Sequence, residues 1–219
     1  MKMKQQSGFT LVEIAIVLVI IGLLLGGILK GQEMITQAKI KNIINDFNGI
    51  TAAMNSYQDR YRSLPGDDLS AATRWTGAVA GNGDGQYGTP SATANNYNQL
   101  LSAAPVAGQE TNLFWWHLRL AGFVAGPTTG TAAGQQPTNA SSGMIGVQTG
   151  GMGFTSNIVC SSNLPDKIAI SVDTQMDDGS ATGGQVRAVS QSAPSPVVTT
   201  GNAAYTEDGT TQYLLCKNL

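Results

Sequence analysis

The chain has 219 residues, of which 42% are apolar and only 12% charged, about half the charged share of an ordinary soluble domain. A formal net charge of −2 excludes a generic nucleic-acid binder, which needs a basic footprint. Two cysteines, a single histidine (His117) and no CxxC pair exclude a disulfide-dense scaffold, a histidine-rich metal centre and a thioredoxin-type site. A surface made polar by Gly, Thr, Ser, Asn and Gln suits an exported protein that packs against copies of itself.

In chain order, a short polar leader, MKMKQQSG, carries Lys2 and Lys4. From Phe9 to Leu29 run 21 residues with a single charge, Glu13, close to the roughly 20 that cross a bilayer as a helix. The run is too long for a secretory signal core, and no A-x-A cleavage site follows it. Lys30, Lys39 and Lys41 balance the leader lysines, so charge alone does not fix orientation. A carboxylate within such a span costs roughly 2.5–3.5 kcal/mol, so Glu13 calls for a partner or a function. Snorkelling to the interface is the plainer reading of it. Gly22 with Gly26 and Gly27 with Gly31 form small-xxx-small spacings that let helices approach closely, and each glycine weakens the helix by roughly 1 kcal/mol relative to alanine.

The segment Ser7-Gly8-Phe9-Thr10-Leu11-Val12-Glu13, with its leader and apolar run, resembles the prepilin cleavage motif of type IV pilins and of type II secretion pseudopilins. The resemblance implies that a prepilin peptidase cuts between Gly8 and Phe9 and methylates the new amine of Phe9. It implies that residues 1–8 are a cytoplasmic leader and that everything beyond the membrane helix lies outside. Loss of Lys2 and Lys4 then takes the charge from −2 to −4. Glu13 would pair with the cationic α-amine of Phe9, on the same or a neighbouring subunit, and fix axial register more than net stability. Partners implied are other copies of the chain and related pilins, the peptidase, an inner-membrane assembly platform and a separate ATPase motor. No proline interrupts the helix, so Gly26, Gly27 and Gly31 are the places where it would open on polymerisation.

Beyond Lys30, residues Ile40, Ile43, Phe47, Ile50, Met54, Tyr57, Tyr61 and Leu64 recur at steps of three or four, one apolar stripe of an amphipathic helix. Pro65-Gly66 marks its end. A continuous helix from Phe9 to Ser63 would span roughly 80 Å. The sequence thus divides into leader 1–8, membrane or filament-core helix 9–29, spine helix 30–63 and a loop-rich head 64–219. In the head, Leu113–Ala121 reads as a helix with His117 as a partly buried packing residue. The tract Gly126–Gly153 reads as weakly structured. Lys167–Val172, Gln185–Val189 and Gln212–Cys216 read as strands, the first two joined through MDDGSATGG as a long hairpin. The expected class is α+β, a pilin-like long helix packed on an antiparallel sheet of three or four strands.

In the oxidising space that the resemblance implies, Cys160 and Cys216 would pair, like the disulfide-bounded C-terminal loop common in type IV pilins; two buried thiols are the other reading. A bridge of this span is worth about 4 kcal/mol on the chain-entropy model. Asn82-Gly-Asp84-Gly85 resembles the middle of a calcium loop, but Ala80 and Ser91 stand where an EF-hand needs its first and last acidic ligands. Asp84, Asp177 and Asp178 are the calcium candidates, in stretches that serve equally well as tight turns; no other cofactor is expected. Pro65-Gly66-Asp67-Asp68 reads as a turn and helix cap. Asn139-Ala140-Ser141 matches a glycosylation sequon, which carries little weight in a bacterial family. No P-loop, G-x-S-x-G or nucleophile–base pair suggests an enzyme. From Leu64 onward there are five basic and ten acidic residues, a head at −5 that is unsuited to nucleic acid. The expected function is a structural subunit of a type IV pilus-like filament, held in the inner membrane as a precursor and then placed in an extracellular pilus. The alternatives are a pseudopilin in a periplasm-spanning pseudopilus of a type II secretion system, or a minor pilin with an adhesive head.

Overall fold

The computed structural model describes residues 10–88, 96–191, 198 and 203–219. The chain divides into two compact units, Met1–Ala38 and Lys39–Leu219, and helix α1 (Leu11–Tyr61) contributes to both.

In the first unit α1 is apolar on every side from Ile14 to Leu29. No residue from Thr10 to Ala38 is buried, and Leu11 is 90% and Leu29 67% exposed. A helix greasy all round cannot satisfy itself in water; it needs lipid or other helices around it. It is long and apolar enough to cross a membrane. The helix runs unbroken through Gly22, Gly26, Gly27 and Gly31, and a Cβ at any of them would meet nothing.

In the second unit the periodic stripe does what its spacing predicts. Ile40, Ile43, Phe47, Ile50, Met54 and Tyr57 are buried in one core, while Tyr61 and Leu64 pack on its margin half-buried. The helix ends at Tyr61, where Arg62 takes a left-handed backbone (φ 57°), three residues before Pro65. The stripe shares its core with one face of a four-stranded antiparallel sheet. Its strands are β1 (Ile145–Gly151), β2 (Phe154–Pro165), β3 (Val186–Ser190) and β4 (Gln212–Asn218), in the order β1-β2-β4-β3. The two-residue period of a strand sorts the side chains. Val159 and Leu164 of β2 and Tyr213 and Leu215 of β4 join the helix stripe. Ile158, Cys160, Leu214 and Cys216 point the other way, into a second core with Tyr97 and Met152.

Three further helices complete the head: α2 (Ala71–Arg74), α3 (Glu110–Leu120) and α4 (Asp166–Met176). The expected strand Lys167–Val172 is wrong, because these residues lie within α4. The alternation of Ile168, Ile170 and Val172 mimics a strand, but the buried set is Ile168, Ala169, Val172 and Asp173, a helical face, with Ile170 half-exposed. The connection from β2 to β3 is therefore a helix plus a turn, not a hairpin. The tract 126–153 also differs from expectation. It holds a 3-10 turn at Thr131–Gly134 and the whole of β1. Glycine hid that strand; at Gly146 a Cβ would collide with the Tyr97 carbonyl, so the close approach of this loop requires glycine.

Candidate functional site

Gly8 and Phe9, the cleavage and methylation positions implied by the motif, lie outside the described residues. At the start of α1, Thr10 and Glu13 form a reciprocal cap. The Thr10 backbone N–H and hydroxyl both donate to Glu13 Oε2 at 2.8 Å, and the Glu13 N–H donates to Thr10 Oγ1 at 3.3 Å. This is a capping box, in which orphan donors of the first turn are satisfied by a T-x-x-E spacing. The T-x-x-E spacing is legible in the sequence, and it makes Glu13 a capped carboxylate rather than a solitary charge. The carboxylate is hydrogen-bonded within its own chain, and it stands at the head of an uncovered apolar helix.

Cys160 and Cys216 are joined in a disulfide. They are directly opposed partners on β2 and β4 and fully buried. The bridge staples the two central strands of the sheet to each other, and with them the ends of a 56-residue separation in sequence.

His117 is fully, not partly, buried. Its Nδ1 accepts the Gly66 N–H at 2.9 Å and its Nε2 donates to the Val79 carbonyl at 2.8 Å, which defines a neutral ring with both nitrogens committed. Burial pushes its pKa down to about 4, with the Arg74 charge helping and the Val79 bond opposing. The ring ties the 65–79 segment to α3. Gly66 sits so near that helix (φ 91°) that a Cβ would come within 2.6 Å of the Glu110 carbonyl.

The acidic candidates fall into two groups. Asp84 gathers with Asp67 and Glu110, neither of which sequence reasoning picked out as a ligand, and one carboxylate oxygen of each lies within 4.8 Å of the others. Asp67 and Glu110 are buried and Asp84 is exposed. Asp67 Oδ1 accepts the N–H groups of Gly83 (2.5 Å) and Asp84 (3.0 Å), and its Oδ2 accepts that of Gly85 (2.7 Å). Glu110 accepts the N–H groups of Asn82 (3.0 Å) and Gly88 (3.3 Å). Burial pushes the Glu110 carboxyl above the usual range; the two N–H groups offset this in part, and the Asp67 and Asp84 charges add to it. Tyr87 is fully buried, its ring edge-on to Phe114 at 5.2 Å. Its hydroxyl has no hydrogen-bond partner. Burial, reinforced by the nearby Asp67 and Glu110 charges, holds the phenol well above its ordinary range. Asp68 differs from its neighbour. It accepts the Tyr57 hydroxyl at 2.7 Å and is neutralised by Arg74.

Asp177 and Asp178 gather instead with Asp173. That group is held by internal partners. Asp173 accepts the Tyr205 hydroxyl (2.6 Å) and the Gly179 N–H, and Asp177 accepts the Val186 N–H (2.8 Å).

Against known proteins, one finding emerges. Residues 3–29 match the family described as the prokaryotic N-terminal methylation motif. No curated protein and no solved structure matches the chain. The matched residues contain the Gly8–Phe9 step, Glu13 and the uncovered apolar stretch, and they precede a head whose sheet packs on the continuation of the same helix. A motif of this kind points to a structural subunit rather than an enzyme and to a membrane-anchored precursor. With a long apolar helix leading into a small antiparallel sheet, the chain thus has a pilin-like α+β arrangement and carries the N-terminal signature of type IV pilins and pseudopilins.

Proposed function

We propose that this chain is a structural subunit of a type IV pilus-like filament. It is made as an inner-membrane precursor, cut between Gly8 and Phe9 by a prepilin peptidase and methylated at Phe9. The observation that carries the reading is a methylation motif fused to a helix whose apolar surface is exposed among the described residues. Lipid covers that surface before assembly, and the helices of neighbouring copies cover it afterwards. The transfer keeps apolar area out of water throughout, at about 25 cal/mol per Å², so the polymer is favoured by packing and by register rather than by new burial.

Glu13 supplies the register. Once the leader is gone, the α-amine of Phe9 is a cation at the tip of the helix, and an opposite charge inside an apolar bundle tolerates few axial positions. The assembly platform and a separate ATPase motor supply the work, and the head is displayed outside, braced by the Cys160–Cys216 bridge.

The test is expression of the full chain beside a pilus assembly platform. Mature protein should begin at Phe9 with one added methyl group by mass spectrometry, and Gly8→Leu should leave the precursor uncut. Glu13→Ala should abolish most of the filament yield while near-UV circular dichroism of the head stays unchanged. Filaments whose subunits retain Met1, or a normal yield from Glu13→Ala, would overturn the reading.

A further inference from the structure

The head holds an assembly of oxygen donors that the filament role does not use. Asn82-Gly83-Asp84-Gly85 has the middle of a calcium loop without its terminal ligands. The fold supplies the missing carboxylates from elsewhere, Asp67 from 17 positions before Asp84 and Glu110 from the first turn of α3. Three negative groups converge within 4.8 Å. Among the described residues the ion pairs are Lys30–Glu33 and Arg74–Asp68, so no protein cation answers this cluster. Backbone N–H groups from the 82–88 loop hold Asp67 and Glu110 in place, as they hold the carboxylates of a preorganised cation loop. They fill both acceptor positions of Asp67 Oδ1 but only one on each of Asp67 Oδ2, Glu110 Oε1 and Glu110 Oε2, so three of the four oxygens keep a free acceptor position.

A second, independent observation concerns Tyr87, the residue just before Gly88 in the same loop. The Tyr87 hydroxyl is fully buried, within electrostatic reach of Asp67 and Glu110, and without a hydrogen-bond partner. An orphaned buried hydroxyl costs about 1–3 kcal/mol. Water held by a cation between the carboxylates would provide the missing partner.

We propose that Asp67, Asp84 and Glu110 bind a calcium ion, which cross-links the 67–88 segment to the start of α3. All the donors are oxygens, which selects a hard cation. They come from three separate stretches of chain with glycines between, an adaptable cage that suits calcium better than the strict octahedron of magnesium. His117 takes no part, since both its nitrogens are bonded to backbone. The exposed Asp84 is the entry side.

The experiment uses the full chain in detergent, stripped with a chelator and then titrated with calcium chloride by calorimetry and thermal melting. One ion should bind per chain at or below the millimolar range typical of extracellular modules, and the melting temperature should rise with calcium. Asp84→Asn removes an exposed carboxylate and leaves the buried pair intact. It should melt like the stripped parent and bind calcium at least about ten-fold more weakly. Asp178→Asn, in the other acidic group, should bind like the parent. Absence of uptake at millimolar calcium, full binding by Asp84→Asn, or loss of binding in Asp178→Asn would each overturn the proposal.

Discussion

At the scale of single residues, His117 makes the head sensitive to acid. Its ring is neutral in the folded chain down to pH about 4, whereas in the unfolded chain it takes up a proton near its ordinary value of 6.5. Below 6.5 the unfolded state therefore binds the extra proton and stability falls as pH falls, by roughly 2 kcal/mol between pH 7 and 5. Glu110 and Asp173, raised by burial, act with the opposite sign as pH rises through their range, so the comparison must be made against a variant. Urea melts of the full chain in detergent should show a steep loss of stability for the parent over this interval. His117→Gln should be weaker at pH 7 and markedly flatter; an equal slope in the two proteins would remove His117 as the cause. Thr10 offers a second residue-scale prediction. If its cap holds the Glu13 carboxylate for assembly, Thr10→Ser keeps the hydroxyl and the filament yield, while Thr10→Val loses both, along with about 1 kcal/mol of capping. Equal yields from Ser and Val would leave the cap without a role in assembly.

At the scale of elements, the head depends on two devices, the helical stripe and the strand staple. Phe47 is 1% exposed in the shared core, and Phe47→Ala should cost about 3–5 kcal/mol in denaturant melts, with the tryptophan fluorescence of the folded state preserved. Cys160→Ala with Cys216→Ala should cost about 2–4 kcal/mol, and the loss should match that of the parent unfolded and refolded under reductant. The same two devices show what the sequence could and could not reveal. The stripe was legible because eight apolar residues keep one period over seven turns, and the strands Gln185–Val189 and Gln212–Cys216 were legible as short apolar runs between turn residues. The segment Lys167–Val172 was misread because over six residues both periods fit, and only the packing of Ala169 against the core decides between them. β1 and β2 were hidden by glycine and by Asn and Ser, residues that serve here for close backbone approach and polar side-chain bonds (Asn157 to Thr149, Asn139 to Ser161). The N-terminal motif was legible because it is contiguous. The Asp67, Asp84 and Glu110 group was not, because its members are brought together only by the fold.

At the scale of the whole molecule, two different solvents are built into one chain. The first unit exposes its apolar surface and the second buries it, so each should respond differently to its surroundings. A fragment of residues 30–219 keeps the entire stripe, the sheet, the disulfide and about ten residues of helix ahead of Ile40. Those extra residues protect the first buried turn from fraying. Because the core members among the described residues all lie at Ile40 or beyond, the fragment should be monomeric by gel filtration without detergent and melt cooperatively. Adding detergent should not move its melting temperature, whereas the full chain should need detergent or lipid to remain dispersed. A fragment that aggregates, or that melts without cooperativity under oxidising conditions, would mean that the apolar helix stabilises the head. Assembly and folding would then be one process, not two, because polymerisation would complete the head as well as cover the helix.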